Sequence, residues 1–139
     1  MIILDTHVVS EPLKPMPNAA VLKWLDAQDP QTLYMTSLNL AELLAGIELM
    51  PAGRKRTALK SALDHQIMPL FDGRILPFDA KAAAMFALIN SKVQSQGANF
   101  SFAVGAIAAI AQVHKCAVAT RNLHDFKSTD IVLLNPWDA

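Results

Sequence analysis

The sequence predicts an α/β fold built on a mainly parallel sheet. Short apolar segments recur along the chain with longer helical segments between them, the pattern of strand–helix–strand units. The polar residues of most chemical interest, Asp5, Asn122 and Asp125, fall just after strand segments. In open sheets of this kind ligands bind beyond the carboxyl ends of the strands, at a topological switch point. At 139 residues the chain has the size of one domain, spanning 1–139, with no repeat, low-complexity tract or linker to divide it.

The elements follow in order. IIL (2–4) reads as a first strand ending on Asp5. VVSEPLKPMP follows, whose prolines forbid long regular structure. Asn18 is placed to cap a helix through AAVLKWLDAQ. LYMTS (33–37) is a second strand leading into the helix LNLAELLAGIELM, which stops near Pro51 and Gly53. A long amphipathic helix runs from Arg54 to about Pro69, and RILPF (74–78) is the third strand. Asp79 caps AKAAAMFALINSKVQSQ, which ends at Gly97. Ser101 caps FAVGAIAAIA; CAVAT (116–120), a loop RNLHDF and a last strand IVLL (131–134) complete the chain.

Composition narrows the function. The chain is 53% apolar and 17% charged, apolar for a soluble protein. No apolar run approaches the length of a membrane span, and MIILDTH lacks the basic start of a signal peptide. A single cysteine, Cys116, excludes an internal disulfide and fits the cytoplasm. The apolar excess in a small chain points to a further surface buried against another copy or a dedicated partner. With 12 basic and 12 acidic residues the net charge is zero. That argues against holding nucleic acid by bulk charge, and leaves room for a nuclease with a local basic rim. Arg54-Lys55-Arg56 with Lys60 reads first as a solvated helix face and second as a substrate contact.

His7, His65, His114 and His124 lack the paired spacing of zinc ligands. There is no glycine-rich phosphate loop and no Gly-x-Ser-x-Gly elbow. What remains is oxygen chemistry. Glu42 lies between LNLA and LLAG, and a carboxylate buried on such a helix is expected to be paired or to ligate a metal. Asp5 either caps the turn after the first strand or contributes to a site; Asp125 and Asn122 are also good turn residues. Carboxylates of this kind can gather a hard cation such as Mg²⁺, which promotes phosphodiester cleavage.

Four segments in order, MIILDTHVVSEPLKP, LNLAELLAGI, LPFDAKAAAMFA and VATRNLHDF with the terminal NPW, resemble the PIN-domain proteins of the VapC/FitB type, the toxins of bacterial toxin–antitoxin pairs. The resemblance spans essentially the whole chain. It implies a parallel five-stranded sheet with helices on both faces. It also implies Mg²⁺- or Mn²⁺-dependent endoribonuclease activity, a homodimer, and silencing by a VapB/FitA-like antitoxin that itself binds operator DNA. The toxin would then meet that DNA only through its antitoxin, and would meet no membrane. By position, Asp5 and Glu42 match the first two catalytic acids and metal ligands, and Asn122 the fourth polar position. Asp125 matches a possible outer ligand, and Thr6 and Thr120 the hydroxyl residues lining the pocket.

One position departs. The helix FAVGAIAA carries Val104 where such proteins usually carry their third acid, and His7 replaces the usual Asn. A valine cannot ligate, so the resemblance implies a weakened or inactive ribonuclease with an intact fold. The competing reading is a non-catalytic module that binds antitoxin and regulates its operon. A phosphatase or receiver domain fits less well: His7 stands where a phosphatase needs its second acid, and Asp79 is not joined by a receiver's other residues.

Overall fold

A computed structural model describes all 139 residues. Five parallel strands, β1 (Ile2–Leu4), β2 (Leu33–Thr36), β3 (Ile75–Leu76), β4 (Ala117–Ala119) and β5 (Leu133–Leu134), lie in the order β3-β2-β1-β4-β5. The predicted architecture is therefore present. The chain builds outward from β1 in one direction and then returns to its other side, so the switch point lies between β1 and β4.

Alternation along the central strands separates two cores. Ile3 and its register partner Val118 enter one; Leu4 and Ala119 enter the other. The first core is covered by α6 (Ala80–Ser95) and α7 (Phe102–His114), the most extensively packed pair of helices. The second lies under α1 (Thr6–Ser10), α2 (Ala19–Asp26), α3 (Ser37–Glu48) and the helical stretch that begins with α4 (Arg54–Ala62). That stretch passes through a π-helical turn, Leu63–Ile67, into α5 (Met68–Leu70). Leu63 and Ile67 are buried while Asp64, His65 and Gln66 remain exposed, so the wider turn keeps apolar side chains on the core.

The expected caps form. Asn18, Asp79 and Ser101 accept backbone N–H groups at the starts of α2, α6 and α7. Gly97 takes φ 75° just beyond α6, a left-handed position suited to glycine. Two expectations change. RNLHDF is not simply a loop, because Leu123–Phe126 forms a short helix, α8, that buries Phe126. The outer strands are also shorter than their apolar runs: 75–76 rather than 74–78, and 133–134 rather than 131–134. Only those residues find parallel partners at the sheet margins.

The polar-free stretch in α7 has an ordinary explanation over most of its length. Gly105 through Ala111 are buried, so no face is left for a polar residue. Gly105 is required sterically: an added Cβ would lie 2.7 Å from Phe86 Cε2 and 2.8 Å from Phe100 Cε2. These rings are parallel at 6.1 Å and belong to a cluster with Phe78 and Phe102. Gly105→Ala is expected to lower stability by up to about 2 kcal/mol. Overpacking of about 1–3 kcal/mol outweighs a helix-propensity gain of roughly 1 kcal/mol. Thermal melts check this; an unchanged or raised midpoint would contradict the steric account.

Candidate active site

Asp5 begins at the carboxyl end of β1, where its N–H donates to the Ala119 carbonyl at 2.9 Å. The residue is buried, 7% exposed, and both of its carboxylate oxygens accept hydrogen bonds. Oδ1 accepts from the Thr6 N–H at 2.9 Å and from Asn39 Nδ2 at 3.2 Å. Oδ2 accepts from the Thr120 hydroxyl at 2.7 Å. Asp5 thus caps α1, as one of its two readings expects, and also joins the ends of β1 and β4 at the switch point.

Glu42 arrives from α3. Its Oε1 accepts the Thr6 hydroxyl at 3.1 Å, which places Thr6 between the two carboxylates. The expectation that Glu42 is buried is overturned: α3 presents it to solvent. The flanking apolar residues did not imply burial because α3 leaves Ala41 and Ala45 exposed too, as is Leu49 just beyond its end. Glu42 is therefore paired with Thr6 but carries no desolvation penalty that would demand a metal.

Thr120 is completely buried and accepts the Asn122 N–H at 3.0 Å while donating to Asp5. Asn122 is exposed and its side chain makes no capping bond to α8. Asp125 is exposed on α8, facing a cavity it shares with Val104. Asp5, Thr6, Glu42 and Thr120 are thus linked directly, whereas Asn122 is tied only through its backbone and Asp125 stands apart. Nowhere do three His, Cys, Asp or Glu side chains gather closely enough to hold one metal ion.

Val104 lies in the first turn of α7, half-buried, three residues after the capping Ser101. α7 packs against both α3, which carries Glu42, and α8. The fold gives this position no need for an apolar side chain comparable to that of Gly105–Ala111.

Sequence reading missed Asn39. It is completely buried, and its amide links two halves of the site. Oδ1 accepts from the Thr36 N–H at 3.1 Å and the Thr36 hydroxyl at 2.6 Å. Nδ2 donates to Asp5 and, at 3.3 Å, to Thr6 Oγ1. The available signal was Thr36-Ser37-Leu38-Asn39, a capping box with Asn in place of Glu or Gln. The same side chain that starts α3 thereby orients Asp5.

Glu11 is a second buried carboxylate, 3% exposed. The Lys14 ammonium at 3.0 Å, with the Asn18 N–H at 3.3 Å, holds its carboxyl below the usual carboxylate range against the opposing effect of burial. It fastens the proline-rich segment back onto α1. Because the folded-state value is lowered, this contribution is present above the ordinary carboxyl range and disappears as pH falls through the lowered value. Glu11→Gln should therefore be less stable than the parent at neutral pH, with the gap closing below about pH 4. Melts across that range check it; a gap constant with pH would contradict it.

A centre of two linked carboxylates at the switch point of a five-stranded parallel sheet defines a class of small acidic-site α/β domains. The PIN-domain model matches residues 2–132. The chain is 44% identical over 137 residues to Toxin FitB of Neisseria gonorrhoeae, covering 99% of each chain. It is 41% identical over 138 residues to VapC ribonuclease Y4jK of Sinorhizobium fredii, again covering 99% of each. The crystal structure of FitAcB from Neisseria gonorrhoeae superposes over 100% of both chains with a TM-score of 0.95 at 43% identity. The chain belongs to the PIN-domain family, in its VapC/FitB-like branch.

Proposed function

We propose that this chain is a VapC/FitB-like toxin built as a divalent-metal-dependent endoribonuclease, with activity sharply reduced by Val104. The observation carrying the reading is the Asp5–Thr6–Glu42 linkage at the sheet's switch point. Asp5 and Glu42 are the residues that would hold Mg²⁺ or Mn²⁺, and two carboxylates suit a cation that keeps several waters. Such a cation, when bound, supplies charge neutralisation at the scissile phosphate and activates the attacking water. Thr120 and Asn39 fix the Asp5 carboxylate in one orientation by donating to both oxygens. Thr6 donates to one oxygen of Glu42. Asn122 and Asp125 are assigned to the rim, as a polar contact and an outer ligand.

The relatives support a cognate antitoxin as partner and RNA as substrate through the names Toxin FitB and VapC ribonuclease. Exposed Leu49, Leu88 and Phe102 supply apolar surface for a homodimer or that antitoxin. No helix is long and apolar enough to cross a membrane, which accords with action in the cytoplasm. Val104, a side chain that cannot ligate, also admits a second reading, a non-catalytic module that retains antitoxin binding.

RNA cleavage by the chain and by Val104→Asp, each free of antitoxin, with Mg²⁺, Mn²⁺ or EDTA, separates these. Cleavage by the variant alone, stopped by EDTA, supports the disabled ribonuclease. Cleavage by neither supports the binding module.

A further inference from the structure

We propose that Arg121, held on the Trp137 ring, is a positioning residue for the acidic centre: it fixes the turn after β4 so that Thr120 keeps its hydroxyl on Asp5. This rests on the ribonuclease reading and adds to it a support that touches neither carboxylate of the site.

Arg121 stands between the two residues that build that turn. Thr120 donates to Asp5 Oδ2 at 2.7 Å and accepts the Asn122 N–H at 3.0 Å, while its own N–H reaches the Leu134 carbonyl at 2.9 Å. Asn122 makes no side-chain cap on α8, so its side chain does not tie the turn down. Arg121 does. Its guanidinium lies 5.1 Å from the Trp137 ring centroid, inside the roughly 6 Å over which a ring face attracts a cation. The side chain is exposed and joins no ion pair, unlike Arg56 with Glu48 and Lys60 with Asp64. The ring is therefore its principal hold.

The ring is itself well anchored. Trp137 belongs to a 3-10 turn, Pro136–Asp138, in which Asn135 Oδ1 accepts the Trp137 N–H at 3.0 Å and Pro136 is buried. That turn packs against α2, and Trp137 packs against the second core.

These contacts close a circuit. α2 is capped by Asn18, whose backbone N–H donates to the buried Glu11 carboxylate at 3.3 Å. Lys14 holds the Glu11 carboxyl low against burial, the Asn18 N–H assists, and the charge of Arg121 adds a smaller part. Glu11 directly follows α1, the helix that Asp5 caps. The two supports of Asp5, α1 on one side and Thr120 on the other, thus meet again at Glu11 and Arg121. A working site needs its groups held to within about 0.5 Å, which an exposed turn with few backbone bonds does not supply alone. The clamp on Trp137 supplies the missing constraint.

The test compares Arg121→Ala, Arg121→Lys and Trp137→Ala, each in the full chain carrying Val104→Asp, with Val104→Asp alone as reference. Val93→Ala, in the first core, serves as a control that destabilises the fold at a distance. Amide exchange without metal reads the Thr6 and Asn122 N–H groups, which end on Asp5 and Thr120. Their rates are taken relative to buried Ile110 in α7, which reports opening of the whole core. Arg121→Ala and Trp137→Ala should speed both amides, relative to Ile110, by about threefold, the order of one exposed cation–π contact. Arg121→Lys, which keeps a cation for the ring, and Val93→Ala should leave the ratios unchanged. Titration of Mn²⁺ adds a test of sign. Removing a cation near a metal site would by charge alone tighten Mn²⁺ binding, whereas Arg121→Ala should weaken it by about threefold. Unchanged exchange ratios in Arg121→Ala, or an Mn²⁺ affinity that holds or rises, overturn the proposal. If the Val104→Asp reference binds no Mn²⁺, the metal-centre reading fails, and the exchange ratios alone decide the positioning role.

Discussion

Val104→Asp is expected to raise RNA cleavage at least about 100-fold over the parent, with Mg²⁺ or Mn²⁺ and not in EDTA. A lost carboxylate among few charges around a phosphate changes the barrier by several kcal/mol, and each ~1.4 kcal/mol is tenfold in rate. The substitution should also be kind to the fold. Position 104 is half-buried and lies in the first turn of α7, three residues after its cap. A carboxylate there faces the positive end of the helix, which contributes about 0.3–1 kcal/mol. That offsets most of what is lost by withdrawing valine from its contacts with the core. Melting within a few degrees of the parent, alongside restored cleavage, would assign the loss of activity to chemistry and not to instability.

The second large effect is expected at Asn39. Asn39→Asp preserves the shape and the acceptor for Thr36 but sets a carboxylate oxygen where Nδ2 now donates to Asp5 at 3.2 Å. Two carboxylates then meet in a buried site, and the destabilisation should reach about 3–5 kcal/mol, the range for an uncompensated buried charge. Asn39→Ala removes the same bonds without adding a charge and should cost about 2–3 kcal/mol. If Asn39 served only to cap α3, the order would reverse, because an acid is favourable in a first helical turn. Chemical denaturation of both variants decides between these roles. In the Val104→Asp background, both should also lower kcat, since Asp5 loses one of the donors that fix its oxygens.

Strands, caps and helix order could be read from sequence because each rests on local chemistry. Asp79 and Ser101 cap the helices they precede, and apolar runs mark the strands. Asp5 could be placed because a strand-end acid at a switch point is a topological feature as much as a local one. Glu42 was harder. Its neighbours are apolar, yet α3 packs through Leu38, Asn39 and Leu43 and turns Glu42 outward, a matter of tertiary orientation that no short window contains. Asn39 escaped notice because its local role, a capping box, gives no hint of the donor it sends to Asp5 from 34 residues away. The helix in RNLHDF is short and held by burial of Phe126, so periodicity could not reveal it.

If Val104 deprives the Asp5–Glu42 pair of a third carboxylate, the loss is read directly in metal affinity. Calorimetric titration of Mn²⁺ into the chain, Val104→Asp, and Val104→Asp carrying Asp5→Asn tests it without relying on an RNA target. The prediction is that Val104→Asp binds Mn²⁺ at least about tenfold more tightly than the parent, a gain of roughly 1.4 kcal/mol or more, and that Asp5→Asn abolishes the gain. Equal affinity in parent and variant, or a gain indifferent to Asp5→Asn, would contradict it.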